Sequence, residues 1–179
     1  DNTIKESQQR IESVLKHCGY HMPRRKTVVN MAPADVRKEG SAYDLPIALG
    51  VLKASGQLPL QKLEEYVIMG ELSLDGELRP IKGVLPIAIE ARKNGFKGFI
   101  LPLENAKEAA IVNQLDVIGV RTFDEAVAFL EGKAFIEPLV MSTRDIFYDN
   151  LNDYEADFTS VQGQENIKRA LEIAEAGGH

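Results

Sequence analysis

The chain of 179 residues has one cysteine, Cys18, which excludes an internal disulfide framework and a Cys-rich zinc site. No apolar run approaches the ~20 residues that cross a bilayer, so no membrane span is expected. The opening residues, Asp1-Asn2-Thr3, lack the basic-then-apolar order of a secretory signal. Together these absences predict a soluble, reducing, cytoplasmic setting. Positive charge is not in excess either, since 21 Lys and Arg stand against 27 Asp and Glu, a net of −6. A globally basic nucleic-acid binder is thereby excluded, although a local basic patch is not. The apolar share of 44% and charged share of 27% are those of a soluble globular domain. A chain of this length buries a core without metal or disulfide support.

The charge is unevenly placed. Residues 133–179 carry 4 basic and 9 acidic side chains, whereas residues 1–132 carry 17 and 18. The acidity belongs to the C-terminal stretch.

Periodicity gives the elements. Ile4, Ile11, Val14 and Leu15 share one helical face, with Gly19 at the stop. Thr27–Met31 reads as a short strand and residues 32–40 as a loop. A second helix is expected from Tyr43 to Ala54, with Leu45, Leu49 and Leu52 inward. Tyr66–Met69 reads as a strand. Asp75-Gly76 between two alternating stretches is the strongest hairpin signal in the chain. Val84–Lys93 reads as a helix, Phe99–Leu101 as a buried strand, and Asn105 as the cap of a helix reaching Val112. Asp116–Val120 is a further strand. Thr122 with Glu125 forms a capping box for a helix that ends at Gly132. Alternation of strand and helix predicts an α/β fold with helical crossovers and parallel strands in a mixed sheet. Residues 133–156 read as an acidic linker. Residues 157–179 read as the opening of a second domain, because one apolar-faced helix (Ile167, Ala170, Leu171, Ala174) has nothing to cover it.

Two segments invite a catalytic reading. A Ser-Lys dyad needs a hydroxyl within reach of an amine whose pKa is lowered enough to accept its proton. Ser41 and Lys82 are the nearest candidates by residue type. Against this, Ser41-Ala42-Tyr43-Asp44 also fits the S-x-x-[DE] cap of the second helix. Lys82 follows a turn-forming stretch, where a solvated side chain is the simpler account.

The runs Asn30–Pro46 and Gly70–Gly83, with Asn94–Pro102 downstream, resemble the proteolytic domain of Lon proteases, a βαβ fold of the ribosomal-protein type. They resemble far more closely the N-terminal domain of the ComM/YifB subfamily of magnesium-chelatase-like AAA+ ATPases. The likeness covers the whole chain. The subfamily's first strands would precede Asp1, so this fold is expected to lack them. In Lon the nucleophile loop reads K-D-G-P-S-A-G; laid on Lys38–Asp44, the serine position falls on Ala42. Lon's lysine follows P-I-G-G-[LV], which here is Pro80–Val84, so the lysine position falls on Leu85. The resemblance therefore implies the fold without the peptidase chemistry, because a butyl group accepts no proton.

Asp157–Glu165 looks like the strand-turn segment that opens a AAA+ module. By that resemblance Val161 and Gln162 lie beside an adenine. The phosphate loop G-x-x-x-x-G-K-[ST] does not occur in this sequence, so ATP with magnesium is expected in the parent protein and not in this piece. Arg24, Arg25 and Lys26, with Arg37 and Lys38, compose a candidate basic patch for DNA or a neighbouring subunit, set against the plainer reading of a solvated charge run. The resemblance associates the family with DNA processing in natural transformation by a hexameric ring. A Ser-Lys peptidase and a chelatase-like partner-docking module are the alternatives. His17, Cys18 and His21 lie together without a fourth ligand, so no metal is expected.

Overall fold

The computed structural model describes residues 2–24, 26–30 and 41–141. The chain divides into two compact units, Asp1–Met141 and Ser142–His179, and the second lies outside the described residues. The first unit is α/β. Its elements are α1 (Asn2–His17), α2 (Asp44–Ala54), β1 (Tyr66–Ile68), β2 (Glu71–Leu72), β3 (Leu78–Arg79), α3 (Val84–Lys93), β4 (Gly98–Pro102), α4 (Ala106–Ala109), β5 (Asp116–Val120) and α5 (Phe123–Leu130).

Pairing is both parallel and antiparallel, distributed over two sheets. The strands β1, β4 and β5 form a parallel sheet in the order β1-β4-β5, with Ile68 opposite Ile100 and Ile100 opposite Ile118. The strands β2 and β3 form a separate antiparallel hairpin, with Glu71 opposite Arg79 and Leu72 opposite Leu78. Every residue of β4 is buried, as a central parallel strand covered on both faces requires.

Period-two alternation sorts the core into two clusters, one on each face of the parallel sheet. Ile68, Ile100, Ile118 and Val120 pack with the apolar faces of α1, α2 and α5. Val67, Phe99, Leu101 and Val117 pack with α3 and α4. The inward stripe of α1 is Ile11, Val14 and Leu15, at the spacing a buried helix face demands. The Thr122 cap forms: Glu125 N–H donates to Thr122 Oγ1 at 3.2 Å, while the Glu125 carboxylate reaches one residue further back, to Arg121 N–H at 2.7 Å.

Three expectations need correction. Residues 27–30 are extended but belong to no strand, and Val28 and Val29 are exposed (76% and 51%), because no described strand lies beside them. Met31 and residues 32–40 lie outside the described residues. Asn105 is not a side-chain cap; it ends a 3-10 turn, Leu103–Asn105, and α4 closes at Ala109. Its amide is spent elsewhere, on the backbone N–H and C=O of Ile81. Ser41 does not cap α2 either. The N-cap residue is Tyr43, with no side-chain bond, and the Ser41 hydroxyl turns to Glu71.

Beyond α5 the chain stays against this unit for a few residues. Leu139 N–H donates to Val117 O at 2.8 Å along the outer edge of β5, and Ile136 and Met141 pack on the two clusters.

Candidate functional site

The two positions singled out by motif, 42 and 85, are set by backbone contacts. Ala42 precedes α2, and its carbonyl accepts from Gly70 N–H at 2.8 Å; Leu45 N–H returns a bond to Gly70 O at 3.1 Å. This pair of bonds holds the entry of α2 against the strand end that follows β1. Leu85 sits in the first turn of α3. Its N–H, one of the helix's orphan donors, is taken by the Glu108 carboxylate at 3.1 Å. Both side chains are half-buried, and both pack on the same apolar cluster, the one beneath α3 and α4.

The serine and lysine of the catalytic reading are not brought together. Ser41 Oγ donates to the Glu71 carboxylate, which stands 3.9 Å from Arg79 Nη1 across the hairpin register. Lys82 is exposed on the bend before α3. A Ser-Lys mechanism needs an amine on the hydroxyl, and a carboxylate occupies that place.

Next to this stands a buried ionic cluster. Asp44, at the start of α2, is fully buried and accepts from Arg10 Nε at 2.6 Å and Nη2 at 3.2 Å, from Ser7 Oγ, and from Leu72 N–H at 3.3 Å. The hydrogen bond that Arg10 donates to Asp44 raises its guanidinium above the ordinary value, against a lesser opposing effect of burial. Every side-chain oxygen in the group is satisfied, so the cluster reads as a structural tie between α1, α2 and β2.

Open clefts on the unit include two made by described residues. One of about 440 Å³ is lined by residues that include Arg121, Asp124 and Ile136; one of about 310 Å³ includes Glu6, Arg10, Leu74 and Arg79. Neither of these two is lined by Ser41, Ala42, Lys82 or Leu85.

Of the basic patch, Arg24 and Lys26 are exposed; Arg25, Arg37 and Lys38 lie outside the described residues, as do Val161 and Gln162. Cys18 is half-buried. Burial first, then its hydrogen bond to Asp124 and that carboxylate's charge, push its thiol up to about 12. Among the described residues no three His, Cys, Asp or Glu side chains gather as a metal would need, and no helix is long and apolar enough to cross a membrane. Arg10, Asn105 and Glu108 escape sequence reasoning because their partners lie 34, 24 and 23 residues away, beyond any local spacing rule.

Comparison with known proteins adds the following. The family model described as subunit ChlI of Mg-chelatase matches residues 1–105. The protein YifB of Escherichia coli is 40% identical over 182 residues, covering 100% of this chain and 34% of YifB. Competence protein ComM of Haemophilus influenzae is 37% identical over 182 residues, covering 100% of this chain and 35% of ComM. Lon protease 2 of Bacillus subtilis is 30% identical over 126 residues, 69% of this chain and 22% of the protease. The chain thus spans about a third of the length of the curated relatives YifB and ComM.

Proposed function

This chain belongs to the family of Mg-chelatase subunit ChlI, and from that premise we propose that it is the N-terminal domain of a ComM-like AAA+ ATPase, with no chemistry of its own. The whole protein uses ATP with magnesium, held by a phosphate loop outside this sequence and flanked at the adenine by Val161 and Gln162. It works in the cytoplasm as a hexameric ring on DNA taken up in natural transformation. The domain described here serves assembly or DNA contact, the latter through Arg24, Arg25, Lys26, Arg37 and Lys38.

One observation carries the non-catalytic half of this reading. Ala42 and Leu85, which stand where Lon-type peptidases have serine and lysine, both pack on one apolar cluster. Neither can donate or accept a proton. The 37% identity to a competence protein over the whole chain supports the DNA-linked half.

The test uses the intact protein. DNA-stimulated ATP hydrolysis without casein cleavage is the expected result. Casein cleavage that disappears in Ser41→Ala or Lys82→Ala would establish a peptidase instead. Recovery of one client protein, undiminished by nuclease, with no DNA response, would favour a partner-docking module.

A further inference from the structure

Of the asparagines in the chain, Asn94 alone is followed by glycine. The pair is exposed and closes α3, with Asn94 as its C-cap (φ −83°, ψ 4°) and Gly95 next in the left-handed conformation (φ 76°). The Gly95 N–H donates to Arg92 O at 3.1 Å and the Phe96 N–H to Ala91 O at 3.1 Å, the two bonds of a Schellman turn. Asn94 donates twice to Glu90 O, from its N–H at 3.0 Å and from its Nδ2 at 2.8 Å.

Asn-Gly is also a reactive dipeptide, because a glycine nitrogen has no neighbouring Cβ to screen it. That nitrogen attacks the asparagine side-chain carbonyl. The bond between Gly95 N and Asn94 Cγ forms and the bond from Cγ to Nδ2 breaks. Nδ2 leaves as ammonia, carrying the proton that the glycine nitrogen gives up. Water then opens the five-membered imide at either carbonyl and leaves aspartate or isoaspartate at position 94.

The fold holds the reacting atoms apart. Ring closure brings the Gly95 nitrogen over the Asn94 Cα–Cβ bond, whereas at ψ 4° it eclipses the Asn94 nitrogen instead. The N–H that must be lost is held by Arg92 O, and the Nδ2 that must leave is held by Glu90 O. Opening of the last turn of α3 removes these restraints together. Residues 92–97 are all exposed, and exposed helix ends open at lower free energy than the core.

We infer that Asn94-Gly95 is a self-modification site, converted to aspartate or isoaspartate when the last turn of α3 opens, and that the conversion keeps the turn open. The product has no Nδ2 to donate to Glu90 O, and its carboxylate stands at the negative end of the helix. Isoaspartate also lengthens the main chain by one atom, which displaces the Gly95 and Phe96 N–H groups from their carbonyls. The change is one-way, since ammonia is lost.

The experiment holds the intact protein at pH 8, in buffer and in urea, and follows the peptide containing Asn94 by mass spectrometry. A synthetic peptide of residues 90–99 supplies the unrestrained rate. Conversion in the folded protein should be slower by ~10-fold or more than in urea or in the peptide, because it waits on local opening. Lys93→Gly, an exposed change in the last turn, should quicken conversion in buffer about 5-fold relative to its own rate in urea. Amide exchange at Gly95 and Phe96 should be faster in Asn94→Asp than in the unaltered protein. Conversion of the folded protein at the peptide's rate overturns the inference, as does a Lys93→Gly variant that converts no faster. Exchange unchanged by Asn94→Asp overturns the claim that modification holds the turn open. Asn94 left intact in buffer in both the unaltered protein and Lys93→Gly, while it converts in urea, means that no opening exposes it and overturns the whole.

Discussion

Arg10 and Asp44, 34 residues apart in sequence, meet through two hydrogen bonds of 2.6 and 3.2 Å inside the junction of α1, α2 and β2. Asp44 is fully buried and Arg10 partly so (side chains 1% and 19% exposed). Removing one partner of such a pair strands the other charge, which costs about 3–5 kcal/mol. Arg10→Ala should therefore lower the free energy of unfolding in urea by that amount. Arg10→Met combined with Asp44→Leu should cost clearly less than Arg10→Ala alone, because no charge is left behind. If the pair and the single variant unfold at the same urea concentration, the ionic tie is not what joins the helices.

Asn105 closes the turn that leads into α3. Its Oδ1 accepts from Ile81 N–H at 2.8 Å and its Nδ2 donates to Ile81 O at 3.0 Å, in a buried setting. Asn105→Ala leaves both backbone groups of Ile81 without this partner, at a cost of about 2–3 kcal/mol. Asn105→Asp keeps the acceptor but sets a carboxylate against the Ile81 carbonyl. Its destabilisation should be largest at neutral pH and shrink on acidification, as the protonated acid regains a donor. Thermal unfolding followed from pH 7 to pH 4 reads this difference directly.

Most elements and the inward helix faces were legible because they depend on neighbours in sequence. Ile11, Val14 and Leu15 repeat at helical spacing, the β4 run is apolar throughout, and Thr122 and Glu125 stand one capping box apart. What the sequence misassigned are polar side chains with a choice of partners. Ser41 and Asn105 both have the local chemistry of a cap, and each is drawn off by a tertiary partner, Glu71 or the Ile81 backbone. The strand expected at 27–31 illustrates the other failure. β-Propensity records how well a residue fits a neighbouring strand, and Val28 and Val29 have no described strand beside them.

Gly98 opens β4 where β5 passes closest. A Cβ placed there would lie 2.3 Å from the Asp116 carbonyl oxygen, a backbone atom fixed by the parallel register, and 2.8 Å from the Tyr66 ring. At Gly70 a Cβ would meet the end of the Leu78 side chain at 2.3 Å, which can rotate away. Gly98→Ala should therefore be the costlier change, at or above the ~1–3 kcal/mol typical of overpacking, and Gly70→Ala the cheaper. Chemical denaturation of the two variants in parallel ranks them; the reverse order would contradict the close approach of β4 and β5.

Cys18 offers a readout of local structure by pH. Burial and the bond to Asp124 push its thiol up to about 12 in the fold, against about 8.5 for a free cysteine. A group raised by folding stabilises the native state fully below its unfolded pKa. That contribution is lost as pH rises from about 8.5 toward 12, because the unfolded chain then ionises first. The thiolate is the reactive form, so at pH 8 the folded thiol should be alkylated by iodoacetamide ~10³-fold more slowly than a free thiol. Unfolding in urea should restore the ordinary rate. Asp124→Asn removes the carboxylate that opposes ionisation, so alkylation of the folded variant should quicken while its circular dichroism is unchanged. Labelling of the unaltered protein at the free-thiol rate would mean that the contact between the end of α1 and the start of α5 is not maintained in solution.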